Sequence, residues 1–213
     1  MNKIMNQPES FVDESLKGIV LAHGDMLKFS EENTRAVVRS DAPVQDKVAI
    51  VTGGGYGHLP VFLGYVGRGL CDGVAVGNVF TSPSCDAIVA AAKATNSDAG
   101  VLFLFGNYMG DSMNFDMASE MLDMEDIPCA IVKAADDVAS APRSDYKNRR
   151  GVGGIFFPYK IAGAKAERMA SLDEVRDIAV QVCDNVATLG FSMSSCQLPG
   201  APKPIFEISD NEM

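Results

Sequence analysis

Three polar side chains each sit just beyond a short apolar run. His58 follows Val48–Val51 and three consecutive glycines, Ser82 follows Gly73–Gly77, and Asp111 follows Gly100–Phe105. An imidazole, a hydroxyl and a carboxylate brought together can hydrogen-bond several oxygens of a small polyhydroxy or keto compound and take a proton from one of its hydroxyls. Imidazole is the side chain best suited to proton movement near neutral pH. Each residue also has a plainer reading. Asp111 could cap a helix, Ser82 could be used up as a cap before Pro83, and His58 could be satisfied by loop carbonyls.

What would bring the three together is an α/β architecture. Short apolar runs closed by glycine read as buried strands, and the runs at Lys47–Thr52, Gly73–Gly77, Gly100–Phe105 and Pro128–Lys133 alternate with helical patterns. That order predicts a largely parallel sheet flanked by helices. In such a sheet the carboxyl ends of the strands share one edge, so the loops Gly53–Pro60, Asn78–Ser84 and Gly106–Asp111 converge there. The glycines Gly53, Gly54 and Gly55 are expected to turn the chain sharply at the end of their strand. The loop is not a dinucleotide fingerprint, because His58 stands where the last glycine of G-x-G-x-x-G belongs. Nor is it a Walker A loop, since no Lys-Ser/Thr pair follows.

The remaining expectations are coarser. Helices are predicted at Phe11–Ala22, from Leu59 with Pro60 in its first turn, at Pro83–Ala94 capped by Ser82, at Met113–Met124, at Ile155–Arg168, and from the capping box Ser171–Glu174 to Leu189. A short strand is expected at Ala36–Arg39, and another at Gly190–Gln197. The stripe Met113, Met117, Met121, Met124 reads as core. Ala134–Gly154, with Arg143, Lys147, Arg149 and Arg150, reads as a solvated loop or as one facing a phosphate or a partner. Tyr108 and Phe80 could line the pocket, with core packing the preferred reading for both.

The 213 residues carry 18 Lys and Arg against 28 Asp and Glu, a formal net charge of −10. That balance argues against nucleic acid or an anionic membrane as a partner. The five cysteines are widely spaced and form no C-x-x-C, so neither a zinc site nor a disulfide framework is expected. The first residues lack the apolar core of a signal peptide, and no apolar run approaches a membrane span, which predicts a cytoplasmic protein.

The segments GGGYGHLP, GYVGRG, VGNVFTSPS, NYMGDSMNFDMASE, NRRGVGG and CQLPGAPKPIFEISDNEM, in this order, together resemble the dihydroxyacetone kinase K subunit, or K domain. The resemblance runs along essentially the whole chain. It implies a small ketose such as dihydroxyacetone held on this chain. Phosphate would come from ATP or ADP with magnesium carried by a separate L-type domain or subunit, with no cofactor or metal on this chain. It implies a homodimer. The family's first-loop substrate contacts map onto Gly55, Tyr56, Gly57 and His58, and the carboxylate that activates the accepting hydroxyl maps onto Asp111. Ser82 and Gly106 complete the expected substrate-binding set.

Two departures from the family pattern bear on function. Gly106 stands where K subunits that work with a separate L subunit usually carry Lys, and Tyr56 and Leu59 replace Ser and Glu. These changes resemble the branch fused to its own L domain, which handles larger ketoses such as erythrulose. The chain also ends at Met213, before the family's GIHGEPG-type motif, whose histidine binds the substrate carbonyl covalently. The expected organisation is therefore a first domain at 1–188 and the start of a truncated second α/β domain at 189–213. If these residues are the whole protein, little or no kinase activity is expected. Three readings stay open: a ketose kinase component, a catalytically silent ketose-binding sensor or partner protein, and an inactive remnant.

Overall fold

The structure, a computed structural model, describes residues 4–58, 62–209 and 211–212. Its centre is a six-stranded sheet in the order β1-β2-β4-β3-β5-β6. The strands are β1 (Leu27–Phe29), β2 (Ala36–Arg39), β3 (Ala49–Tyr56), β4 (Gly73–Val79), β5 (Val101–Gly106) and β6 (Cys129–Ala134). β4, β3, β5 and β6 run parallel, while β2 joins β4 and β1 joins β2 in antiparallel fashion. The α/β class and the largely parallel sheet are as expected. β1 carries no sequence signal strong enough to predict it.

Alternation along β5 shows how the layers form. Phe103 and Phe105 enter one core with α2 (Cys85–Thr95) and α3 (Met109–Asp123), packing on Phe115, Ala118 and Leu122. Leu102 and Leu104 point the other way, toward α4 (Phe156–Ala166) and α5 (Leu172–Asn185) through Tyr159, Ala162, Val175 and Ala179. A strand apolar on both faces belongs in the middle of such a sandwich. Also on the α4–α5 face, α1 (Phe11–Ala22) covers β2 and β4 through Val12, Leu16, Val37 and Val74. Ser171 accepts from the Glu174 N–H while Glu174 accepts from the Ser171 N–H, so the predicted capping box starts α5.

Several expectations are corrected. The three glycines do not turn: β3 runs straight through them, with Gly53, Gly54 and Gly55 paired to Ala75, Val76 and Gly77. They are needed because other residues press onto the strand there. A Cβ on Gly53 would lie 2.8 Å from the Ala75 carbonyl, and one on Gly54 would strike the Phe62 ring. The cap of α2 is Ser84, accepting from the Ala87 N–H at 3.3 Å, so Ser82 is not used as the cap. Most of the methionine stripe faces out: Met113, Met117 and Met124 are exposed, only Met121 is partly buried against the core, and α3 buries Phe115, Ala118 and Leu122. The strand expected at Gly190–Gln197 does not form, and the segment Ile205–Ile208 beside it is not a strand either. Ile205 donates its N–H to the Cys196 carbonyl at 2.8 Å, without a ladder forming. Leu59, Pro60 and Val61 lie outside the described residues; of the helix expected there, only a 3-10 turn at Leu63–Tyr65 is seen.

At the end of β3 opposite the glycines lies a buried ion cluster. Lys47 donates to Asp72 Oδ2 at 2.6 Å, and Arg39 donates to Asp72 Oδ1 at 2.9 Å and to Glu167 at 2.6 Å. Lys47, Arg39 and Asp72 are 1%, 3% and 3% exposed. Among the described residues no helix is long and apolar enough to cross a membrane.

Candidate functional site

At the carboxyl edge of the parallel strands a cavity of about 360 Å³ opens between the three predicted loops and the segment 151–155. Gly55, His58, Ser82, Gly106 and Asp111 all line it. Tyr56 and Gly57 do not. The Tyr56 ring turns into the α1 core, edge-on to Phe11 at 5.7 Å. Both residues instead place Phe80. The Tyr56 carbonyl accepts from the Phe80 N–H at 3.0 Å, and a side chain on Gly57 would meet the Phe80 ring at 2.9 Å.

His58 leaves β3 with its ring between two aromatics, Phe62 at 5.6 Å and Phe80 at 5.3 Å, both edge-on. Its Nδ1 lies 2.7 Å from the Gly55 carbonyl oxygen. A carbonyl can only accept, so Nδ1 carries the proton and, in the neutral ring, Nε2 is left as an acceptor. Phe80 adopts φ +58°, a left-handed conformation that costs a non-glycine residue about 1–3 kcal/mol. That conformation sets its ring against the imidazole.

Asp111 sits in the first turn of α3. It is 8% exposed, and its Oδ1 is buried without a hydrogen-bond partner. Burial raises its pKa above the ordinary carboxylate value, and the Ser82 hydroxyl and His58 offset part of that rise. A Cβ on Gly110, the preceding residue, would lie 2.6 Å from Ser82 Oγ, so a side chain there would have to displace the Ser82 hydroxyl. The motif around Asp111 is thus a set of positional demands. Asn107 Nδ2 donates to the Lys147 and Arg149 carbonyls at 2.8 and 2.7 Å, and Asn114 Nδ2 donates to the Pro83 carbonyl at 2.7 Å. Phe115 stacks on Phe105 at 4.0 Å. One helix end is thereby tied to the β4–α2 loop and to the 147–149 segment.

The fourth wall is Gly151, Val152, Gly153 and Ile155. A Cβ on Gly151 would strike the Ala134 carbonyl and lie 2.8 Å from Gly106 Cα. Gly106 and Gly151 therefore pass each other at a distance only two glycines permit. Sequence reasoning missed this wall, although the glycines of GVGG mark it. It also preferred the core over the pocket for Phe80 and Tyr108; both border the cavity and are 44% and 40% exposed. Burial raises the Tyr108 pKa, so its phenol stays a donor at ordinary pH. None of the described residues lining the cavity is Lys or Arg.

The arrangement can hold a small uncharged molecule by its oxygens, with one acceptor already dehydrated. The Dak1 domain family matches residues 17–213. The chain is 41% identical over 211 residues to the dihydroxyacetone-binding subunit of a PTS-dependent dihydroxyacetone kinase of Lactococcus lactis, covering 99% of this chain and 63% of that protein. It is 41% identical over 213 residues to an L-erythrulose kinase of Pectobacterium atrosepticum, covering 100% of this chain and 36% of that protein. This chain thus spans less than two thirds of either relative. The crystal structure of the dihydroxyacetone kinase of C. freundii superimposes with a TM-score of 0.88 at 34% identity, covering 95% of this chain and 38% of that one. A dihydroxyacetone kinase operon co-activator does so with 0.83 at 29% identity, covering 92% and 59%. A fold, a motif order and a level of identity that all agree along almost the whole length place this chain in the Dak1 domain family.

Proposed function

We propose that this chain is the ketose-binding component of a dihydroxyacetone kinase-type phosphotransferase. The observation that carries the reading is the buried, unpartnered Oδ1 of Asp111 in a cavity shared with Ser82 and His58. A carboxylate in the cavity wall is suited to a substrate hydroxyl, and it can take that hydroxyl's proton as the hydroxyl oxygen attacks phosphorus. The raised pKa makes Asp111 a better base than an ordinary carboxylate. His58 Nε2 accepts from a second hydroxyl, and Ser82 and Tyr108 donate to ketose oxygens. The absence of Lys and Arg from the described lining favours a neutral ketose over one already phosphorylated.

Phosphoryl transfer needs positive charge on the transferred group. The described lining holds no Lys or Arg, which supports placing the nucleotide and its magnesium on an L-type partner domain. Relatives named for dihydroxyacetone and for erythrulose support a three- or four-carbon ketose. The test is calorimetric titration with dihydroxyacetone and erythrulose, with glycerol as the control lacking a carbonyl, followed by turnover with an L-type subunit and its donor. Binding of a ketose that Asp111→Ala abolishes supports the reading; no binding of either ketose sinks it. The likeness to an operon co-activator favours one second reading, a ketose-responsive regulator. Tight binding without turnover would select it.

A further inference from the structure

The chain leaving α5 doubles back to the carboxyl end of β6. Thr188 forms a parallel bridge with Asp137, donating its N–H to the Asp136 carbonyl at 2.8 Å and accepting from the Val138 N–H at 3.0 Å. In this position its hydroxyl donates to Asp136 Oδ2 at 2.5 Å. The same carboxylate receives two more donors from the cavity wall, the Val152 N–H on Oδ1 at 3.0 Å and the Gly154 N–H on Oδ2 at 2.9 Å. Asp136 is 2% exposed and does not line the cavity.

Three donors on one buried carboxylate make a strong anchor. The wall needs one: Val152 has φ −130° and ψ −116°, outside the helical and extended regions, and glycines flank it. Gly154 fits only as glycine, since its Cβ would lie 2.7 Å from Asp136 Cγ. We propose that Asp136 is a positioning residue for the cavity. Its carboxylate fixes the Gly151–Gly154 wall, and its bond to Thr188 couples that wall to the segment leaving α5. Whatever displaces Thr188 then loosens the cavity without touching it. The proposal deepens the ketose-site reading and rests on it for its effect on binding.

The discriminating variant is Thr188→Val, which removes the hydroxyl and keeps the shape; Asp136→Asn is the companion. Ketose dissociation constants, thermal midpoints and amide exchange at Val152 and Gly154 are measured for each. Thr188→Val should stay folded and bind dihydroxyacetone or erythrulose about threefold to tenfold more weakly, as one weakened anchoring bond implies. Exchange at Val152 and Gly154 should rise about tenfold. A lowered midpoint with unchanged ketose affinity would reduce Asp136 to a cap on the start of α4 and overturn the proposal. If the wild-type chain binds neither ketose, the site reading fails on its own and exchange decides. Faster exchange at Val152 and Gly154 in Thr188→Val supports the coupling, and unchanged exchange refutes it. If Asp136→Asn does not fold, Thr188→Val carries the test.

Discussion

Replacing Asp111 with Asn should stabilise the protein while impairing its site. A buried acceptor without a partner costs about 1–3 kcal/mol, and Asp111 Oδ1 is such an acceptor. The carboxylate regains about 0.3–1 kcal/mol from its place in the first turn of α3, where negative charge is favoured. Removing the charge should therefore yield a net gain of about 1 kcal/mol, or ~2–4 °C in midpoint for a chain of this length. The pH dependence fixes the sign. Asp111 has a raised pKa in the folded protein, so between the ordinary carboxylate value and the raised one the native state binds more protons than the unfolded state. Native stability falls as pH rises through that window. The gain from Asp111→Asn should be small below the window, open across it and stay constant above. Ketose affinity should fall about tenfold, because a neutral acceptor replaces a charged one. Thermal unfolding of both proteins across pH 4–8, the range in which raised carboxylates titrate, would check this. A variant less stable than wild type at the upper end would mean that Oδ1 is satisfied in the native protein, and the argument from an empty acceptor would fall.

Three further perturbations follow from other parts of the molecule. Asp72→Asn leaves Lys47 and Arg39 buried beside a neutral group; chemical denaturation should show a loss of about 3–5 kcal/mol, and Lys47→Met added to it should recover part. Gly151→Ala forces a methyl against the Ala134 carbonyl and Gly106; ketose titration should show binding weakened at least about tenfold, with a stability loss of ~1–3 kcal/mol from overpacking. Met113→Lys and Met117→Lys replace exposed side chains and should each change unfolding free energy by less than about 0.5 kcal/mol, whereas Phe115→Ala should cost about 3–5 kcal/mol.

Those methionines also show where sequence reading loses its grip. Periodicity gave the helix correctly but not its phase. Met113, Met117, Met121 and Met124 form a longer stripe than Phe115, Ala118 and Leu122, yet the shorter set is fully buried while only Met121 of the stripe reaches the core; the two phenylalanines of β5 offer Phe115 a partner. The parallel strands were legible because each is a short apolar run with room for a crossover before the next. The triple glycine was misread as a turn because glycine usually ends a strand; here what counts is the tertiary approach of Phe62, Pro83 and Thr81, invisible in local sequence. The convergence of His58, Ser82 and Asp111 was legible from topology alone. The wall at 151–155 was not, since it reaches the cavity from some forty residues beyond Asp111, held by a carboxylate whose own surroundings carry no motif.

The strand order has a consequence for how the chain must assemble. β3 lies between β4 and β5, both of which follow it in sequence, and β2 reaches β3 only through β4. As the chain emerges, the first seventy or so residues can therefore close one strand pair, β1 with β2, while the glycine-rich strand waits unpaired. Parallel pairings across helical crossovers are non-local and slow to form. β3 should become protected only together with β4 and β5, in one late cooperative step, and pulse-labelled amide exchange during refolding would see it. The cavity inherits that order: its glycine floor is synthesised early, yet it has no shape until the strands on both sides arrive, and its fourth wall is added last.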